Sequence, residues 1–182
     1  AQLVVAALVA YAMTGPMQIL LPKLAREVLG LSELQRGGYL GLMALTLIAG
    51  GVTALLLSKH LHHGAAIFVG TVTASLLFAS LSHWSSAAAS AAALGGMGLL
   101  GGMVISFVIA GIQGQAPDAL RGRIMGIYSI ISQVVPAASG VAAGALVRTT
   151  GVTSAIAMAG VGLAGVALLA ALAMPQLRRM RA

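Results

Sequence analysis

The side chains able to do chemistry are few, and they fall in groups. Tyr11, Thr14 and Gln18 stand three and four residues apart, which brings them to one face of a helix. Ser129, Ser132, Gln133 and Pro136 share a second helical face, with Tyr128 just ahead of them, and Ser106, Gln113 and Gln115 follow a glycine-rich run. Hydroxyls and amides in such stripes exchange hydrogen bonds, either with neighbouring helices or with a solute in a cavity. They do not form a nucleophile with its base. With no cysteine in the chain, disulfides, thiolate metal sites and cysteine nucleophiles are excluded. A membrane-embedded enzyme would need paired aspartates, serine with lysine, or histidine with glutamate at depth, and the apolar runs hold no such constellation. Lys59-His60-Leu61-His62-His63-Gly64 admits a metal reading, but no carboxylate or thiol accompanies the histidines; a basic loop facing the cytoplasm is the favoured reading. The run Gly95-Gly96-Met97-Gly98-Leu99-Leu100-Gly101-Gly102 lacks the Lys-Ser/Thr ending and flanking strand of a phosphate loop. Close helix packing is expected of it instead. Neither a metal nor a cofactor is expected.

The elements that must carry these groups are set by composition. Hydrophobic residues make up 59% of the 182-residue chain and charged residues 7%, against about 25% charged in soluble domains. That is too little charge to cover a water-facing surface. Stretches free of Asp, Glu, Lys and Arg cover 1–22, 37–58, 60–117, 124–147 and 149–177. Each exceeds the roughly 20 residues that cross a bilayer core, and the third suffices for two crossings. The expected fold is therefore an all-α integral membrane domain of six transmembrane helices, over about 3–21, 37–58, 65–81, 87–112, 124–147 and 152–174. Thr14-Gly15-Pro16 should interrupt the first span and Pro136 should kink the fifth. Gly30 should stop the helix after the first span and Ser32 should cap the next. The sixth span, nearly all Ala, Gly, Val and Leu, reads as a packing or lipid-facing helix.

The net charge of +7 does not point to nucleic acid, because no basic face is interleaved with aromatics. It points to orientation. With six spans, one side carries Lys59, Arg121, Arg123, Arg178, Arg179 and Arg181, and the other Lys23, Arg26, Arg36 and Arg148. The positive-inside rule places the first set, with the C-terminus, in the cytoplasm, and Glu33 and Trp84 outside. Between two long uncharged runs, Ala116 to Tyr128 reads as a surface hairpin, in which Pro117 and Asp118 suit a helix start. Asp118, Arg121, Gly122, Arg123 and Gly126 form its polar core. Two roles compete for it: an anchor to anionic headgroups, or a cytoplasmic gating latch that closes on another segment.

Gly15-Pro16, Leu21-Pro22 and Ala25-Arg26-Glu27-Val28-Leu29-Gly30, followed by a glycine-rich span, resemble the start of the C-terminal half of a major facilitator superfamily transporter. Pro117 to Gly126 resembles the P-x-x-x-R-G-R-x-x-G loop between that family's tenth and eleventh helices, especially in the branch of bacterial enterobactin exporters. Lys59–Gly64 departs from the family pattern, lacking the Asp and Gly-Arg-Arg/Lys elements. The resemblance covers essentially the whole chain. It implies half of a 12-helix fold built as a 3+3 inverted repeat, a preceding six-helix N-terminal half as partner, and the bacterial inner membrane as location. The implied activity is secondary transport, an efflux permease moving a small amphipathic organic solute by alternating access. The cavity side would comprise Tyr11, Thr14, Gln18, Ser106, Gln113, Tyr128, Ser132 and Gln133, with Met97, Met103 and Phe107 as adaptable apolar lining. No span holds a carboxylate, so a proton-coupling group would lie outside this half. Ala1, already within an apolar run, reads as a cut through a longer protein. The alternative is a stand-alone or homodimeric six-helix protein with a structural or lipid-handling role.

Overall fold

The computed structural model describes residues 2–58, 63–115 and 118–173. Among the described residues the elements are helical, with no strand. They are α1 (Gln2–Ala12), α2 (Thr14–Lys23) running into a π-helical turn at Leu24–Val28, α3 (Glu33–Leu57) and α4 (His63–Ser80) with a 3-10 turn at Leu81–His83. Then come α5 (Ala87–Gln115), α6 (Asp118–Thr150) and α7 (Val152–Ala173). Six segments are long and apolar enough to cross a membrane, α1 and α2 together making the first. The chain is a multi-pass membrane protein.

Local sequence explains the joints. The first span breaks at Met13, just ahead of Gly15-Pro16. Pro16 becomes the third residue of α2, where its missing N–H is one that a helix start leaves unpaired anyway. Gly30 adopts φ +61°, a left-handed conformation that ends the helix, and the Leu31 N–H closes back onto the Ala25 carbonyl at 3.0 Å. Ser32 then starts α3 with a reciprocal capping box: its N–H donates to Gln35 Oε1 at 2.9 Å, and the Gln35 N–H donates to Ser32 Oγ at 3.4 Å. Both the stop and the cap lie where the sequence places them.

Helix ends differ from the apolar runs in a consistent direction. The first span continues to Val28, α3 begins at Glu33, and α6 begins at Asp118 rather than 124. Apolarity marks where hydrocarbon starts, whereas helical hydrogen bonding persists through the headgroup zone, where charges are tolerated. Arg121, Gly122, Arg123 and Gly126 thus occupy the opening turns of a helix and not a loop. Likewise α6 passes through Pro136 without interruption.

The spans do not pack in chain order. The first span lies along α6, α3 lies along α5, and α4 sits against both α5 and α7. Glycines make these approaches possible. A Cβ built on Gly15 would fall on the Pro136 carbonyl and Ser139 Oγ of α6, and on Gly140 N at 2.5 Å. On the α3–α5 seam, Cβ atoms at Gly98 and Gly102 would fall on Thr46 and on the Leu47 carbonyl, and one at Gly50 on the Leu99 carbonyl. At the α4–α7 seam, a Cβ on Gly160 would stand 2.6 Å from Ala79 N. Backbones this close maximise dispersion contact where lipid supplies no hydrophobic drive. The buried side chains form two clusters, one around Leu20, Leu24, Phe78 and Ile156, the other around Ala6, Phe68, Phe107 and Ile112.

Candidate functional site

Between these two clusters the bundle is hollow. A chamber of about 120 Å³ is walled by four methionines, Met13 and Met17 from the first span, Met43 from α3 and Met97 from α5. Tyr11, Thr14, Thr71 and Gly101 complete much of the lining. A wider vestibule of about 570 Å³ adjoins it between the first span and α3, sharing Thr14, Met17, Met43 and Leu47 with the chamber. Its rim residues Gln18, Pro22, Ala44 and Ile48 are exposed.

The helix break at Met13 puts Tyr11 and Thr14 on opposite sides of a joint, both facing the hollow. The Tyr11 hydroxyl is hydrogen-bonded to the Tyr128 hydroxyl of α6, and the rings meet edge to face with centroids 5.7 Å apart. Two residues drawn from separate polar stripes are thereby joined, and the Tyr11 hydroxyl is committed to that contact. The Thr71 hydroxyl donates to the Ile67 carbonyl at 2.7 Å, and Ser75, behind the wall, donates to Met13 Sδ at 3.6 Å. Thr14 and Gln18 have no hydrogen-bond partner among the described residues.

The other sequence-derived positions lie away from the hollow. Ser106 faces Gly51 across the α3–α5 seam, and Ser132 donates to the Ser129 carbonyl at 2.8 Å. Gln113 and Gln133 are exposed, and Met103 packs beside the second cluster. Phe107, only 2% exposed, stacks on His63 at 4.8 Å between ring centroids. His63 opens α4 with Nε2 at 3.1 Å from the Ser58 carbonyl, so it serves the α3–α4 corner. His60 and His62 lie outside the described residues, as do Lys59, Pro117 and the arginines at 178, 179 and 181. Arg121 and Arg123 are exposed near the start of α6.

Met13, Met17, Met43 and Thr71 escaped the sequence reading, although Met97 did not. A methionine in an apolar span looks like any other filler of a core. The one available signal was that Met13 and Met17 flank Thr14 and Gln18 on neighbouring faces of the same helix. No known protein family and no curated protein matches the chain.

Proposed function

We propose that the chain is the C-terminal half of a secondary transporter of the major facilitator type, moving a small amphipathic organic solute by alternating access. The observation that carries this reading is the pairing of the spans. Number the spans one to six and exchange one with four, two with five and three with six. The first span against α6 then becomes α5 against α3, and α4 against α7 maps onto itself. Both exchanged seams are glycine contacts, Gly15 on α6 and Gly98/Gly102 on α3. A 3+3 inverted repeat has this property, with cavities at the repeat interface near the bilayer midplane. A hollow walled by methionines suits ligands that vary in shape, since the thioether side chain repacks readily.

Ser129 and Gln133 are exposed on α6 at membrane depth. Polar side chains there face protein or water rather than lipid. A six-helix N-terminal half covering that face, in a bacterial inner membrane with the α6 start cytoplasmic, accounts for them. The test is accumulation of amphipathic fluorescent cations and neutral dyes by cells producing the chain together with its six-helix N-terminal half. Lower accumulation than in control cells, abolished by a protonophore, is the expected result. Unchanged accumulation across the set, with folded protein present in the membrane, would falsify the reading.

A further inference from the structure

The hollow is divided by chemistry as well as by shape, and the division specifies what fits. Around the inner chamber the hydroxyls other than that of Thr14 are already committed: Tyr11 to Tyr128, Thr71 to the Ile67 carbonyl, and Ser75 to the Met13 sulfur. Apart from Thr14 at its throat, the chamber is lined chiefly by methionine, aliphatic and Tyr11 side chains. A polar group placed deep in the chamber would exchange its water for few partners, and a polar group buried with none costs about 1–3 kcal/mol. An apolar group loses nothing. The volume, about 120 Å³, compares with about 150 Å³ for an apolar cavity that takes up benzene. Methionine sulfurs also favour aromatic ring edges.

The uncommitted polar groups begin at the throat. Thr14 lines both chamber and vestibule, and Gln18 lies one turn further along the same face, in the vestibule alone. Residues at this spacing have Cβ atoms about 5–6 Å apart. Neither side chain has a hydrogen-bond partner among the described residues, so both remain available to a ligand.

From this division we infer a bipartite binding site for a solute with a single six-membered ring or a comparably short alkyl end. A hydroxyl, carbonyl or amine lies two to three bonds beyond it. The apolar end fills the methionine chamber, and the polar end meets Thr14 and then Gln18. The inference rests on the transporter reading for its biological meaning, but the site stands or falls on binding alone.

Gly101 offers a way to block the chamber: it lines the wall, and a Cβ built on it meets nothing within 4 Å, so Gly101→Leu can begin there without a clash at its Cβ. Binding of 2-(4-fluorophenyl)ethanol and 4-fluoroethylbenzene to the protein in nanodiscs is measured by fluorine NMR, with protein-free nanodiscs subtracted. The alcohol should bind about fivefold more tightly than the hydrocarbon, as one neutral hydrogen bond supplies. Gln18→Leu, an exposed position, should erase most of that preference and leave hydrocarbon binding intact. Gly101→Leu should weaken both ligands roughly tenfold or more, the loss of one buried ring. Equal binding of the two ligands to the unaltered protein overturns the polar half of the site without any variant. Unaltered binding in a folded Gly101→Leu protein overturns the chamber. Binding as expected with no transport in proteoliposomes holding the chain together with its N-terminal half keeps the site and rejects the transporter. Transport of the alcohol unaffected by Gly101→Leu does the reverse.

Discussion

Tyr11 and Tyr128 illustrate what a single side chain contributes here. Each was identifiable as a polar group on an apolar helix, because tyrosine at membrane depth requires a partner for its hydroxyl. That each is the partner of the other was not legible, since it depends on which spans touch. Tyr11→Phe and Tyr128→Phe should each destabilise the protein by about 1 kcal/mol, the net worth of one neutral hydrogen bond. The double variant should cost less than the two singles added, because the second removal deletes an already unpaired hydroxyl. Unfolding titrations in mixed micelles measure all three; strict additivity would show that the hydroxyls do not interact. Gln133 gives a contrasting case. It is exposed, and Gln133→Leu should leave stability within about 0.5 kcal/mol, as for surface positions. Its effect, if the face meets a second half, appears as altered transport selectivity.

At the level of the helices, glycine carries most of the specificity, and its positions differ in kind. Gly15 and Gly160 have backbone atoms of another helix where a Cβ would stand, whereas Gly37, Gly41 and Gly144 have open space. Gly15→Ala and Gly160→Ala should therefore lower stability by about 1–3 kcal/mol, the usual cost of overpacking. Gly37→Ala and Gly41→Ala, within α3, should be neutral or stabilising by up to about 1 kcal/mol through helix propensity. Gly30 belongs to neither set: its φ of +61° makes Gly30→Ala costly without any clash, by about 1–2 kcal/mol. Thermal unfolding of this set in one detergent ranks them directly. The sequence displayed every one of these glycines alike. Gly30 could be sorted out because Leu29-Gly30-Leu31-Ser32 precedes a run with its own cap. Gly98 and Gly102 were legible as packing glycines within the Gly95–Gly102 run, but Gly15 and Gly160 were not sorted out, since a helix face is recognisable locally but its neighbour is not. Pro136 is the same problem from the other direction: its missing N–H is evident from the sequence, but that Gly15 presses against this turn of α6 is not.

For the whole molecule, six spans followed from composition, because the hydrocarbon core excludes charge wherever it falls. The orientation we propose for them from the loop charges is testable independently of function. In an otherwise cysteine-free protein, Glu33→Cys and Leu120→Cys mark opposite ends of the bundle. Both side chains are exposed. An impermeant thiol reagent on intact cells should label position 33 and spare position 120, with the latter labelled only after permeabilisation; the opposite pattern would invert the topology. Pairing of the spans was not legible, and the hollow was missed with it, because its walls come from four separate stretches of sequence. Thr14 and Gln18 were named as a polar stripe, but the methionine walls that give them meaning belong to α3 and α5 as well.

The exchanged pairing also constrains how the chain is made. The first span ends at Val28, and the helix against which Gly15 nests is complete only at Thr150. At about 5–20 residues per second of synthesis, that helix emerges roughly 6–25 seconds after the first span. During that interval the Gly15 notch and the Tyr11 hydroxyl face lipid or an insertion factor, with no mate yet in existence. α3 waits likewise for α5. A nascent chain halted by a stalling sequence before α6 should therefore expose position 15 to crosslinking by membrane-embedded biogenesis factors, and release it once α6 has entered. The seam between the first span and α6 therefore closes late in synthesis, after α3, α4 and α5 have been made.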